Sequence, residues 1–86
     1  MFQKPNKQYR PFCAIGSGGD DFVTSIVEKA ELGLGRAIPK DKITTRPSKE
    51  GKWVSVKIGP LYVEDKETVV AVYTEIQKET RVRYCL

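Results

Sequence analysis

The sequence predicts an α+β domain of the ferredoxin-like type, in which the order βαββαβ forms a four-stranded antiparallel sheet with two helices on one face. Three observations support this prediction. A hairpin pattern lies mid-chain, a segment of helical periodicity stands on each side of it, and short apolar runs open and close the fold. Right-handed crossovers give the strand order 4-1-3-2 and leave the second face of the sheet open.

The first strand is predicted over residues 11–16, an apolar run that ends at a glycine. A turn follows, and Asp20 and Asp21 suit the start of a helix because carboxylates accept hydrogen bonds from free backbone N–H groups there. Apolar residues then recur with helical spacing. Gly33 and Gly35 mark the end of this helix, since glycine is the usual residue just after a helix.

The central hairpin is predicted over residues 42–58. Two runs that alternate apolar and polar side chains flank a connector that contains a glycine able to adopt a positive φ. Strand alternation places Val54, Val56 and Ile58 on the face under the helices. The side chains between them therefore belong to the open face.

The remaining elements follow in order. Gly59 and Pro60 interrupt the second hairpin strand, because proline has no N–H to donate, and the strand continues past a bulge. Glu64 and Asp65 start a second helix whose apolar residues recur at i, i+3, i+4 and i+7. Residues 81–86 alternate and form the last strand.

Charge and length define the domain organisation. The chain of 86 residues suits one domain, which we place at residues 11–86. Residues 1–10 carry three of the basic side chains and no acid, and we predict that they form a disordered basic tail. The rest of the chain is nearly balanced, so the net charge of +4 does not by itself favour nucleic-acid binding.

Several classes of site and location are excluded or disfavoured. With no His and only Cys13 and Cys85, the chain lacks the ligands of a zinc site, and no cofactor is predicted. Two cysteines favour free thiols and a reducing, intracellular setting. No apolar run approaches the roughly 18 residues that span a membrane, so the protein is predicted to be soluble and intracellular.

The sequence gives little support for catalysis, and we predict that the protein is not an enzyme. Without His, a general base would have to be another group with a shifted pKa. The two adjacent pairs of acids lie at predicted helix starts, where capping explains them. Cys13 has no neighbour in sequence that would activate its thiol.

The open face of the sheet is the predicted interaction site. Tryptophan is costly to leave in water and often anchors interfaces, although a solvated face is the plain alternative. Alternation assigns to this face Cys13, Ile15, Thr44, Arg46, Trp53, Ser55, Lys57, Arg81, Arg83 and Cys85. From these, the candidate partner- or ligand-binding residues are Trp53, Arg46, Ser55, Lys57, Arg81 and Arg83.

Residues 45–48 and 51–56 resemble the Thr-x-Pro-Ser-x-x-Gly-x-Tyr-x-Ser-Val stretch of the YbeD-like family of small domains of unknown function, with Trp53 where tyrosine is commoner. The similarity covers residues 11–86. It implies the fold of ACT regulatory domains and, for some members, lipoate-linked regulation. Two turns, at residues 17–19 and 59–60, resemble those of plastid members of the family, so the resemblance implies the plastid stroma as an alternative to the cytoplasm.

The ACT resemblance also implies a possible effector turn that borders a site for a small amino-acid-like ligand. This turn is formed by Gly16, Ser17, Gly18 and Gly19. Its sequence is not that of a Walker A loop, and a tight turn between strand and helix is the plain interpretation.

The sequence therefore predicts a non-enzymatic regulatory or interaction domain. It would sense a small metabolite, contact a protein partner, or associate with itself through the open face. The alternative is single-stranded RNA binding through the same face, because RNA-recognition domains share this topology and stack bases on open-face aromatic residues.

Overall fold

The computed structural model describes residues 8–85, and the four strands and two helices of this region have the predicted order. They are β1 (Gln8–Gly16), α1 (Gly19–Leu34), β2 (Ile43–Pro47), β3 (Val54–Val63), α2 (Lys66–Ile76) and β4 (Val82–Cys85), with a short 3-10 helix at Lys40–Lys42 before β2. The antiparallel strands lie in the order β2-β3-β1-β4, which is the predicted order read from the other edge. The ferredoxin-like fold is thus confirmed.

The core lies between the two helices and one face of the sheet. Cross-strand pairs such as Ala14 with Val56 and Phe12 with Ile58 place apolar side chains of β1 and β3 under the helices. The buried apolar residues are Phe12, Ala14, Phe22, Ile26, Ala30, Ile38, Val54, Val56, Ile58, Leu61, Val63, Val72 and Ile76. The predicted inward positions of β1 and β3 are therefore correct.

The first strand begins earlier than predicted. Gln8, Tyr9 and Arg10 pair with the end of β3, between Leu61 and Val63, so the assignment of these three residues to a disordered tail is wrong. These residues lack the alternating apolar pattern of a strand. They form one because their backbone hydrogen-bonds to β3. The rest of the predicted tail, residues 1–7, lies outside the described residues.

A bulge divides β3, as predicted. The register passes from Phe12 opposite Ile58 to Arg10 opposite Leu61, so two residues of β3 face one residue of β1. Gly59 occupies the bulge with φ 115°, and a Cβ there would lie 2.9 Å from the carbonyl oxygen of Arg10. Glycine is needed at this position on both counts.

A second bulge, in β4, changes which side chains of this strand face the core. Cys85 pairs with Ala14 and Tyr84 pairs with Ile15, whereas Val82 pairs with Gly16, so Arg83 is the extra residue. Cys85 therefore packs against the core and Tyr84 points to the open face, which reverses the predicted orientation of both. Strict alternation fails at a bulge, and the sequence gives no local signal for this one.

Two of the helix ends show ordinary capping chemistry, whereas α1 begins after Gly18 without a side-chain capping hydrogen bond although Asp20 and Asp21 lie in its first turn. Gly35 ends α1 with φ 77° and donates its N–H to the carbonyl oxygen of Glu31. Asp65 caps α2 by accepting a 2.7 Å hydrogen bond from the backbone N–H of Thr68. Within residues 8–85, neither helix has the length and apolar character that a membrane-crossing helix requires.

Candidate interaction site

The central part of the open face is a shallow basin of about 390 Å³ between three strands. Side chains meet across the strands here, since Lys57 of β3 lies between Thr44 of β2 and Cys13 of β1, and Arg46 lies opposite Ser55. We call these five residues the basic basin. It contains a guanidinium, an ammonium, two hydroxyls and a thiol, and no carboxylate.

Strand alternation holds the basin in place. Its β3 residues stand between Val54, Val56 and Ile58, which are buried in the core, so Ser55 and Lys57 must point to the opposite side. The Cys13 sulfur lies 3.7 Å from the Ser55 hydroxyl oxygen, which confirms that both side chains share this side. Three of the predicted site residues, Arg46, Ser55 and Lys57, are thus brought together.

Trp53 stands at one end of the open face, one residue before β3 begins. Ser48 fixes its backbone, since the Ser48 N–H donates to the Trp53 carbonyl oxygen at 2.8 Å and the Trp53 N–H donates to the Ser48 hydroxyl at 3.2 Å. The side chain is half-buried. The sequence placed Trp53 within the strand, but the loop extends to it.

Two cations flank the Trp53 ring. The guanidinium carbon of Arg83 lies 5.5 Å from the ring centroid, and the Lys52 ammonium lies 5.9 Å from it. Both distances are within the range of cation–π attraction. Because β1 lies between β3 and β4, the contact between Trp53 and Arg83 crosses the end of β1.

Three exposed tyrosines, missed from the sequence, also lie on the open side. Tyr84 of β4 is 61% exposed. Tyr9 and Tyr62 form an edge-to-face pair at the other end of the sheet, with ring centroids 5.5 Å apart. Each was concealed by an irregularity: the assumed tail, the bulge of β3 and the bulge of β4. For Tyr62, the alternation with Leu61 and Val63 that resumes past the bulge of β3 is the signal from which it could have been found.

Charge on the sheet has one sign. None of the four strands contains Asp or Glu, and the charged side chains on the open side of the described strands are Arg46, Lys57 and Arg83. The acidic residues of the described region lie instead on the helices and loops. The open face therefore carries a positive potential that no carboxylate on the same strands offsets.

Arg81 is not part of this surface, which corrects its predicted place. It precedes β4, and its side chain turns toward Glu79, with 2.9 Å between Arg81 Nε and Glu79 Oε2. Its guanidinium also lies beside Gly18, where a Cβ would be 2.7 Å from one terminal nitrogen. The charge-assisted hydrogen bonds to the buried carboxylate of Glu79 hold the Arg81 side chain away from the open face.

The predicted effector turn is closely packed. A Cβ on Gly16 would lie 2.3 Å from the carbonyl oxygen of Arg81 and 2.5 Å from the ring of Phe22, and Gly18 has φ 117°. These contacts give Gly16 and Gly18 structural reasons to be glycine. Ser17 donates its N–H to the Arg81 carbonyl oxygen at 3.4 Å, whereas a Cβ on Gly19 would have open space. Effector binding at the turn stays a prediction.

Glu79 connects two parts of the fold near this turn, helix α1 and the segment before β4. Its buried carboxylate accepts hydrogen bonds from the Arg81 side chain, from the Ser25 hydroxyl of α1 and from the Arg81 backbone N–H. These bonds, the Arg81 side chain first, lower the pKa of Glu79 from its usual value near 4.5 to about 2. The carboxylate thereby joins α1 to the segment before β4.

Neutralising Glu79 should remove a pH-dependent part of the stability. A carboxyl whose folded pKa is depressed stabilises the fold above its unfolded pKa, and that contribution is lost as pH falls from about 4.5 toward 2. Glu79→Gln is expected to lower the free energy of unfolding at neutral pH by about 1–3 kcal/mol and to flatten its acid dependence. Urea unfolding at a series of pH values measures both effects.

Glu75→Gln provides the matched control, because Glu75 forms a 2.9 Å ion pair with Lys78, whose side chain is 61% exposed. Such pairs contribute about 0–1 kcal/mol, so this variant should unfold nearly as the wild type does. If the free energy of unfolding of the Glu79 variant depended on acid pH as that of the wild type does, Glu79 would not be the source of this pH dependence.

The two cysteines lie on opposite faces of the sheet, although β1 and β4 are neighbours. Cys13 belongs to the basic basin, and Cys85 packs against the core, where burial raises the pKa of its thiol. Both are free thiols. The prediction that both face the open side is therefore wrong for Cys85.

A family model matches most of the chain. The family model described as "Protein of unknown function (DUF493)" matches residues 8–86, which includes the whole open face. Comparison with curated proteins and with solved structures finds no match for the chain.

Proposed function

Since the chain belongs to DUF493, the family of unknown function that the YbeD-like resemblance indicated, we propose its function from its geometry. The protein is an interaction domain that binds a protein partner through the open face, with Trp53 as the anchor. The observation that carries this proposal is a half-buried tryptophan beside a basic basin on a sheet face that the helices leave uncovered.

The arrangement supports binding better than catalysis. Cys13 is the nucleophilic side chain of the basin, and the near neighbour that the structure gives its sulfur is the Ser55 hydroxyl, which is not a base. In contrast, a large aromatic ring fixed at the edge of a polar, concave surface is typical of interface anchors. The resemblance to ACT-like domains extends the proposal to regulation of the partner. A lipoate-linked role or a small effector at the glycine turn rests on that resemblance alone.

Charge argues for a partner other than a second copy. Face-to-face association would set Arg46, Lys57 and Arg83 of one copy against the same cations of the other. Like charges brought together and desolvated oppose such a contact. The proposal is therefore a heterologous complex.

Single-stranded RNA is the second candidate, and the exposed tyrosines favour it. Tyr9 and Tyr62 stand on β1 and β3, and these two central strands carry the base-stacking residues in RNA-recognition domains. The cations of the open face would contact phosphates.

Affinity capture with matched variants tests the proposed function. Immobilised wild type, Trp53→Ala and Val70→Ala are exposed to extract from the native cell. Val70 is 56% exposed on α2, in the layer opposite the open face. We expect a protein that the wild type and the Val70 variant retain and the Trp53 variant loses. Equal retention by all three would contradict the proposal.

A further inference from the structure

The geometry points to an acidic, extended protein segment as the occupant of the open face, with its carboxylates in the basic basin and an apolar side chain against Trp53. This inference rests on the proposed function and adds the chemistry of the partner. It is carried by the composition of the basin, in which Arg46 and Lys57 stand beside the hydroxyls of Thr44 and Ser55. All four side chains can donate hydrogen bonds to the carboxylate oxygens of a partner.

The two basin cations are available to a partner. Within residues 8–85, ion pairs join Lys78 to Glu75 and Arg81 to Glu79, whereas Arg46 and Lys57 make none. Both residues are exposed. Because the strands around them carry no Asp or Glu, a carboxylate brought by another molecule would meet attraction and no repulsion from the sheet.

The positions of the aromatic rings favour a peptide over RNA. Adjacent bases stack on aromatic residues near the middle of the two central strands, but here that region holds Cys13, Ser55 and Lys57. Tyr9 and Tyr62 contact each other at the far end of the sheet. An acidic peptide, by contrast, would bind through the cations of the basic basin and needs an apolar contact with a single ring, that of Trp53.

A titration of the isotope-labelled full chain tests the inference. The probes are a synthetic peptide of repeated Glu-Phe-Asp, its Gln-Phe-Asn counterpart and oligouridine, and the readout is the shift of each backbone amide signal. We expect the acidic peptide to bind and to move the signals of Arg46, Ser55 and Lys57 rather than those of α2. The uncharged peptide should bind at least about tenfold more weakly.

Two double variants with reversed charges show which side chains contribute to the affinity for the acidic peptide. Arg46→Glu combined with Lys57→Glu should weaken the acidic peptide by at least about tenfold, since two attractions become repulsions. The control combines Lys66→Glu with Lys78→Glu, which changes the net charge equally on the helix side and should leave the affinity unchanged. The amide spectrum of each variant shows that it is folded.

Three results would overturn the inference: equal binding of both peptides, equal losses in both double variants, or oligouridine binding more tightly than the acidic peptide. The last result would assign the face to RNA. A protein partner captured in a Trp53-dependent way, with no binding of the acidic peptide, would leave the proposed function in place and remove only its acidic chemistry.

Discussion

Replacing Val56 with aspartate is expected to unfold most of the protein at neutral pH. Val56 is 0% exposed and lies in the middle of β3, opposite Ala14 on one side and Thr45 on the other. A carboxylate there would be buried under the helices without a partner, at a cost of several kcal/mol. Domains of this size have only about 5–10 kcal/mol to lose. Urea unfolding followed by circular dichroism measures the change.

Ser55→Asp is the matched control, because it puts the same side chain one position away on the open face, beside Lys57 and Arg46. This variant should retain nearly the stability of the wild type, since the charge remains near water and two cations. If the two aspartates had equal effects, the assignment of faces along β3 would be wrong.

Gly33→Ala is expected to destabilise the protein, although the same change usually stabilises a helix. A Cβ at Gly33 would lie 2.6 Å from the Cα of Val72 and 2.8 Å from the carbonyl oxygen of Ala71, so α1 and α2 touch backbone to backbone here. Alanine would force the helices apart at a cost of about 1–3 kcal/mol, which exceeds the roughly 1 kcal/mol gained from helix propensity. Chemical unfolding gives the sign.

Leu32→Ala controls for changes in α1 itself, because Leu32 is 72% exposed in the same turn. Its stability should stay within about 0.5 kcal/mol of the wild type. A Gly33 variant more stable than the wild type would show that the close approach of the helices is not real.

The regular parts of the fold could be predicted from the sequence, and the irregular parts could not. Periodicity identified both helices and the hairpin because burial repeats every two or 3.6 residues, and the rule of right-handed crossovers then gave the strand order. The start of β1 was missed because Gln8, Tyr9 and Arg10 are held by pairing with β3, a long-range contact without a local pattern. The reversal of Tyr84 and Cys85 has the same origin, since a single bulge shifts every later residue to the other face.

The candidate site was predicted in part for the same reason. Arg46, Ser55 and Lys57 lie in regular strands, so alternation placed them correctly in one basin. Arg81 was misplaced because its side chain conformation depends on Glu79, and nothing in the sequence spacing shows that contact. The sequence does not identify a partner, because this chain constrains only the charge and the shape of the molecule that binds it.

The affinity of Trp53→Ala for the protein captured by the wild type, measured by calorimetry beside thermal unfolding of the same variant, tests directly whether Trp53 anchors a protein contact. Loss of an interface anchor costs about 2 kcal/mol, so we predict binding about thirtyfold weaker than that of the wild type. Because Trp53 lies outside the helix-packed core, the unfolding temperature should change little. An unchanged affinity, or a loss of affinity matched by a loss of folding, would contradict the role of Trp53 as an interface anchor.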